Sequence, residues 1–399
     1  MKILTVADFF YPEVVGGGAI MAYEIMRELV SRGHSVTVLT RRQTDQPAVS
    51  DLDGMKIVRY KIAERQMLYP LGVMRARGEI KRLLDQEEFD LFNMHHASGG
   101  IAAILAQQKK RSVPAVFFFQ GPWYKEAIAN DDKFDEYESR AYKQLEMKYW
   151  MRKRVDRFIL ENCQAFVTLS DHMRKEALEI CPGAADKHVK VPGGVDIDRF
   201  KTAQDIGAIR EKLALPKDMI VLFTARRLAR RMGLENLVQA MATVEKLRDD
   251  VMLVIGGRGE LWDSLNAQIK RLGLKRTLMV GYISYDEVLP SYYQASDLFI
   301  MPSVTMEGFG LSTMESLACG TPVLGTPTGG TPEILQGILP DFILNSAQPE
   351  DIAKGIIEKL PVLRDAALQQ RTRKFAEDFS WRRITDKVED VFCNLVRTS

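Results

Sequence analysis

"KILTVADFFYPEVVGGGAIMAYEIMRELVSRGHSVTVLT", residues 2–40, sets two short apolar runs on either side of a longer segment with a different period. "KILTVADF" reads as a buried strand that leads into a loop. In "AIMAYEIMRELVSRGH" the residues Met21, Ile25, Leu29 and Val30 recur as a helical apolar stripe, and Gly33 stops the helix before the strand "SVTVLT". Strand, helix, strand is a βαβ unit, the building block of parallel sheets with crossover helices.

The same alternation runs along the chain. Strand-like runs follow at 56–62, 89–96, 113–120, 165–170 and 190–196, and a second set lies at 219–227, 251–257, 278–283, 297–303 and 322–326. Each set suffices for its own sheet. The polar stretch "DIDRFKTAQDIGAIREKLALPKD" (196–218) carries no strand signal and reads as the connection, which predicts domains 1–200 and 201–399. In the tail, Trp381, Ile384, Val388 and Phe392 predict a helix from about residue 380. Spacing alone leaves open whether it packs on its own domain or on the first. Tandem α/β domains predict a cleft at the carboxyl ends of parallel strands, where ligands bind.

The bulk numbers exclude several function classes. At 399 residues, with 46% hydrophobic and 27% charged residues, the chain has the composition of a soluble two-domain protein. Fifty-five basic against 53 acidic residues leave a formal charge of +2, too little to draw it onto nucleic acid. Cys163, Cys181, Cys319 and Cys393 show no metal-type spacing and read as reduced, mostly buried thiols. The N-terminus reads as a first strand rather than a signal peptide, and no window of about 18 apolar residues exists, so a cytoplasmic protein is expected.

Chemistry concentrates in "MEGFGLSTMESLACGTPVL", residues 306–324, where Glu307 and Glu315 flank a Gly-Phe-Gly turn. A helix starting near Leu311 carries Glu315 about one turn in, with side chains tilted back toward its N-terminus, so both acids face one pocket. Free amides at 308–312 suit an anion such as phosphate. Two carboxylates beside a phosphate repel it unless they accept from neutral donors, and sugar hydroxyls are such donors. Positive charge comes from "TARRLARRMGLENL", with Arg226, Arg227, Arg230 and Arg231 directly after a strand. The ligand this describes is a nucleotide sugar.

These residues, with "FYPEVVGGGAIMAYEIM", "FFFQGPWYKE", "VPGGVDIDRF", "VGYISYDEVLPSYYQASDLFIMPS" and "GGTPEIL", closely resemble family 4 of the retaining glycosyltransferases over nearly the whole chain. The resemblance implies an α/β chain of GT-B architecture: two Rossmann-like domains with parallel sheets facing an interdomain cleft, acceptor on the first and nucleotide sugar on the second. It implies that Glu307 meets the donor sugar and Glu315 the ribose. Gly308, Phe309, Gly310, Leu311 and Ser312 would meet sugar and phosphates through backbone, and Gly281, Tyr282 and Ile283 the nucleobase. Arg227 and Arg231 would neutralise the diphosphate, and Gly16 and Gly17 would form the loop near diphosphate and acceptor. The donor would be UDP-, GDP- or ADP-linked, and the acceptor a carbohydrate or a lipid-linked molecule. No metal or other cofactor is expected.

The chain departs from the family pattern in places. Met232 stands before Gly233 where many relatives have lysine, which shifts the second phosphate charge to Arg231. Gln120 stands in "FQGPW" where a histidine that meets the donor sugar or stabilises developing charge is common, so the resemblance makes it a donor-binding residue; it hydrogen-bonds but cannot titrate. Ala19 stands where some relatives have an acid. An epimerase of the same architecture, or a non-catalytic relative that binds nucleotide sugar, are the alternatives. The strings "DLD" (51–53) and "DID" (196–198) read as structural rather than as metal motifs, and His95–His96 lack acidic partners for a metal. Tyr292 and Tyr293 read as core and rim. "MKYWMRKRVDRF" (147–158) mixes basic and aromatic residues as a helix touching anionic membrane would.

Overall fold

Residues 1–12, 16–43, 45–61, 69–107, 113–129 and 147–398 are described by the computed structural model. Eight strands form the first sheet: β1 (Lys2–Ala7), β2 (Ser35–Arg41), β3 (Val49–Leu52), β4 (Met55–Tyr60), β5 (Leu91–His95), β6 (Ala115–Phe118), β7 (Ala165–Thr168) and β8 (His188–Lys190). Their order is β3-β4-β2-β1-β5-β6-β7-β8, parallel except for the β3–β4 hairpin. Five more form a wholly parallel sheet: β9 (Ile220–Ala225), β10 (Val251–Gly256), β11 (Thr277–Gly281), β12 (Leu298–Met301) and β13 (Val323–Gly325), in the order β11-β10-β9-β12-β13. Central strands are buried on both faces, as in β5, β6, β10 and β12, so they read as unbroken apolar runs.

In each sheet the chain starts in the middle, steps outward to one side and then returns to the other. The reversal falls between β1 and β5 in the first sheet and between β9 and β12 in the second. A doubly wound sheet leaves a crevice at the carboxyl ends of the two strands flanking such a reversal.

The chain divides into two compact units, one built from Met1–Ile128, Asp135–Gly193 and Trp381–Ser399, the other mainly from Gly194–Ser380. The first therefore takes the tail helix Trp381–Thr398, which buries Trp381, Ile384, Val388 and Phe392 and meets the helix Gly17–Ser31. Arg32 Nη1 lies 2.7 Å from Glu389 and 2.8 Å from Asp386, and His34 Nε2 lies 2.7 Å from Glu389. The crossing into the second unit comes at residue 194, a few residues ahead of the expected boundary.

Two strand expectations need correction. The last run of the first set, read at 190–196, pairs only over His188–Lys190, because Pro192 has no N–H to extend the ladder. The segment around "DLD", read as turn, contributes β3, a four-residue edge strand closed onto β4 by Asp53–Gly54. Asp53 accepts from Tyr23 at 2.7 Å. In "DID", Asp196 Oδ1 accepts from the backbone N–H groups of Asp198 and Arg199. Both strings are structural in this molecule. Residue 62, the end of one expected strand, lies outside the described residues.

The stretch after the first crossing holds the helix Ile206–Lys212, capped by Asp205. From it, buried Arg210 reaches Asp297 at 2.7 Å and the carbonyls of Ala295 and Met219 at 2.9 Å. Asp297 also accepts from the backbone N–H of Val221 at 2.7 Å, so one buried ion pair ties the helix to the amino ends of β9 and β12. Removing one member of a buried pair costs about 3–5 kcal/mol because its partner stays buried and uncompensated. Arg364 Nε also lies 3.1 Å from Asp297, so Arg210→Met leaves the carboxylate partly compensated and is expected to lower the unfolding free energy by about 2–3 kcal/mol in equilibrium urea denaturation; a loss below about 1 kcal/mol would contradict the role given to this pair.

Candidate functional site

At the reversal of the second sheet, β9 ends at Ala225 and Arg226 follows. Its guanidinium donates through Nη1 to Ser303 Oγ and through Nη2 to Glu307 Oε2, and Ser303 Oγ donates to the same carboxylate oxygen at 3.1 Å. The Arg226 and Glu307 side chains are 6% and 14% exposed, so this is a nearly dry ion pair joining the carboxyl end of β9 to the loop after β12. Arg231 holds the same loop from another side: its Nη1 donates to the Met306 carbonyl at 3.0 Å, and its own carbonyl accepts from Val304 N–H at 3.0 Å.

The loop is further fixed from behind. Gly330 N–H donates to the Glu307 carbonyl at 2.8 Å, and a Cβ on Gly329 (φ +64°) would lie 2.0 Å from that same oxygen. Glycine at 329 is thus required both by backbone angle and by closeness. Met306 sits at φ +56°, a conformation that costs a non-glycine residue energy and persists only under such restraint. Gly308, Phe309 and Gly310 follow, and the helix Leu311–Ala318 opens with Ser312 in its first turn and no side-chain cap at Gly310. Thr313 N–H donates to the Gly310 carbonyl at 2.9 Å, which leaves the Leu311 and Ser312 amides as the candidate donors of this turn.

Glu315 is placed differently from Glu307. It is 6% exposed and accepts from the Tyr293 hydroxyl at 2.9 Å, with Tyr285 as a second hydrogen-bond partner. Burial pushes its carboxyl up to about 7, and the tyrosine hydrogen bonds and the Arg199 charge offset only part of that effect. Tyr293 is fully buried, in keeping with a core position.

The remaining residues singled out in this unit lie along the same carboxyl edge. Gly281 ends β11, and its carbonyl accepts from Gly257 N–H at 2.7 Å; Gly257 packs on the Arg226 carbonyl. Tyr282 is 53% exposed with the Arg258 guanidinium 5.1 Å above its ring, and Ile283 turns inward against Gly256. Arg227 is exposed, whereas Met232 is buried.

The first unit carries a second polar cluster at its own reversal. Gly16 precedes and Gly17 begins the helix Gly17–Ser31, and Gly18 lies so close to Gln120 that a Cβ there would be 2.0 Å from Gln120 Oε1. The Gln120 amide is 3.3 Å from His95 Nδ1, and the Asn93 amide is 3.1 Å from His95 Nε2. Burial, with His96 adjacent, lowers the His95 pKa to about 3, so the ring is neutral. A neutral imidazole has one N–H, so one flanking amide presents oxygen to it and the other nitrogen. Just beyond β1, buried Asp8 accepts from Ser98 Oγ and from Arg41 at 3.2 Å, while its other carboxylate oxygen, Oδ1, has no partner among the described residues.

The sequence reading ranked Arg227 above its neighbour, yet Arg226 is the arginine that grips Glu307; adjacency hid which of the two turns inward. It also passed over Asp8, although an acid interrupting a buried first strand was visible. Among the described residues no group of three His, Cys, Asp or Glu side chains could hold a metal ion.

The family profile described as Glycosyltransferase Family 4 matches residues 15–199, and that described as Glycosyl transferases group 1 matches residues 205–379. An uncharacterized glycosyltransferase of Methanocaldococcus jannaschii is 25% identical over 406 residues, covering 98% of each chain. Sucrose-phosphate synthase of Thermosynechococcus elongatus superposes with a TM-score of 0.84 at 21% identity, covering 100% of each chain. Anabaena HepE, solved with UDP-glucose, superposes with a TM-score of 0.77 at 19% identity, covering 99% of this chain and 100% of its own.

The raised pKa of Glu315 has a defined pH signature. A carboxyl at about 7 when folded, against the ordinary 4.5 of a glutamate, favours the folded state fully below about pH 4.5 and loses that contribution as pH rises through about 7. The whole span amounts to about 3 kcal/mol. Glu315→Gln keeps an acceptor for Tyr293 but cannot ionise. Between pH 5 and pH 8 the wild type is expected to lose about 2 kcal/mol more stability than the variant in urea unfolding; parallel pH profiles would overturn the assignment.

Proposed function

The chain belongs to family 4 of the glycosyltransferases and has the GT-B fold, and from that premise we propose that it moves a hexose from a nucleoside-diphosphate sugar to an acceptor with retention of anomeric configuration. The observation that carries this reading is the Arg226–Glu307–Ser303 constellation beside the uncapped helix Leu311–Ala318. It places a fixed carboxylate acceptor, guanidinium donors and backbone amides at one sheet reversal.

In this reading Glu307, oriented by Arg226, accepts from hydroxyls of the donor sugar and stabilises positive charge developing at its anomeric carbon. Arg227, Arg231 and the amides of Gly308–Ser312 stabilise the departing diphosphate, the kind of preorganised charge that supplies the largest catalytic contribution in many enzymes. The bond from anomeric carbon to phosphate oxygen breaks, the bond to the acceptor oxygen forms on the same face, and the acceptor proton passes to the departing phosphate. Glu315 meets the ribose only through the small edge that Tyr293 and Tyr285 leave accessible, and Gly281–Ile283 meet the base. The donor is UDP-, GDP- or ADP-linked; HepE, solved with UDP-glucose, supports the nucleotide-sugar class. With arginines in place for the diphosphate, we take the reaction to need no metal.

The first unit is proposed to take the acceptor, with Gly16 and Gly17 near diphosphate and acceptor and Gln120 reaching the donor sugar. No described helix is long and apolar enough to cross a membrane. A cytoplasmic enzyme touching the membrane surface is proposed from the helix Met147–Asn162. It exposes Met147, Trp150 and Met151 on one face, with the Arg154 guanidinium 5.0 Å from the Trp150 ring.

A thermal-shift panel of UDP, GDP, ADP and their hexose conjugates is expected to single out one base. Product analysis with that donor is expected to show transfer that EDTA does not suppress. Glu307→Gln should lower turnover by roughly 10²–10³-fold, the loss typical of removing one charge-stabilising group. Epimerised donor in the absence of acceptor would favour the epimerase instead, and nucleotide binding without turnover toward any acceptor would favour a non-catalytic relative.

A further inference from the structure

At the carboxyl ends of β2 and β4 the first unit holds a cavity of about 490 Å³ lined by Arg42, Arg59, Tyr60, Lys61, Arg75, Gly78 and Glu79. That volume falls within the roughly 300–1,000 Å³ range of small-molecule sites. Among the described lining residues four are cationic and one is acidic. The acid is already engaged, since Glu79 accepts from Arg82 Nε at 2.8 Å.

The cations are positioned by neutral groups. Arg42 Nε donates to the Gln46 carbonyl at 2.6 Å and its backbone N–H to the Tyr60 carbonyl at 2.8 Å. Arg75 Nη1 donates to the Lys61 carbonyl at 2.9 Å, and Arg59 Nη1 to Ser50 Oγ at 2.7 Å. Arg42, Lys61 and Arg75 form no ion pair with any described residue. Like charges held around one cavity whose single described carboxylate, Glu79, is engaged by Arg82 repel each other, and a multiply charged anion relieves that repulsion while taking several charge-assisted hydrogen bonds. Planar guanidinium forks favour tetrahedral oxyanions in particular.

We propose that this cavity binds a phosphate group, and that the group is carried by the glycosyl acceptor. Phosphate binding stands on the cavity alone, whereas its assignment to the acceptor rests on the transferase reading. The position supports that assignment, because the carboxyl ends of β2 and β4 lie on the same sheet edge as Asp8, His96 and the Gly16–Gly18 turn.

The test uses the full chain and its Arg42→Gln/Arg75→Gln variant, both confirmed folded by circular dichroism. Binding of inorganic phosphate and glycerol 3-phosphate is measured by calorimetry at low salt, and flotation is measured on vesicles of 30% phosphatidylglycerol in phosphatidylcholine. Phosphate affinity is expected to fall at least tenfold in the variant. If flotation is unchanged, the natural source is a soluble phosphate ester; if flotation falls in parallel, it is a lipid headgroup. Equal phosphate affinity in the two proteins, or none in the wild type, overturns the proposal. The nucleotide thermal-shift panel, run on both proteins, keeps the two readings apart. Silence there with phosphate binding still lost in the variant would reject the transferase reading and leave the cavity standing.

Discussion

The ion pair between Arg226 and Glu307 organises the second unit's ligand edge. It joins two strands adjacent in the sheet but about eighty residues apart in the chain, and every neighbouring feature is arranged around it. Ser303 bonds to both members, Gly330 and Gly329 close on the Glu307 backbone, and Arg231 secures the next carbonyl. Such a pair offsets its desolvation only when further hydrogen bonds satisfy it, as Ser303 does here. The pair therefore also holds Met306 in its strained conformation, and with it the angle at which the loop enters the following helix.

The two sheets solve one geometric problem with different chemistry. Both place buried polar groups at the carboxyl ends of the strands flanking the reversal. In the second unit the groups are charged and paired. In the first, a neutral histidine stands between two amides, with Asp8 nearby tied to Ser98 and Arg41. Gln120 has no titrating proton and His95 is held neutral by burial, so neither side chain changes charge near neutral pH.

Much of the architecture was legible because parallel strands covered on both faces read as apolar runs, and crossover helices announce themselves by period. What escaped was set by tertiary contact. Val49–Leu52 is a half-exposed edge strand whose composition is that of a turn, so only its partner strand reveals it. The motif around Glu307 was visible from its glycines and acids, but Arg226 and Arg227 are neighbours of identical chemistry, and only the fold turns one inward. Glu315 lies on a helix whose exposed face looked plausible from spacing; Tyr293, 22 residues upstream, closes over it. The affiliation of the tail helix depended on Arg32 and Glu389, more than 350 positions apart.

The long segment of the second unit, Gly194–Ser380, leaves the first unit at residues 193–194 and returns to it at 380–381, and beside these crossings Val195 pairs with Ser380 as a short parallel bridge. That segment is thus an insertion whose two ends meet, the arrangement in which one domain is tolerated inside another. During synthesis the first unit begins to form first but lacks a wall of its core until residues 381–398 emerge, after the whole of the second unit. The amino-terminal half thus stays unfinished until the chain is nearly at its end, and the apolar face awaiting Trp381, Ile384, Val388 and Phe392 stays uncovered until then.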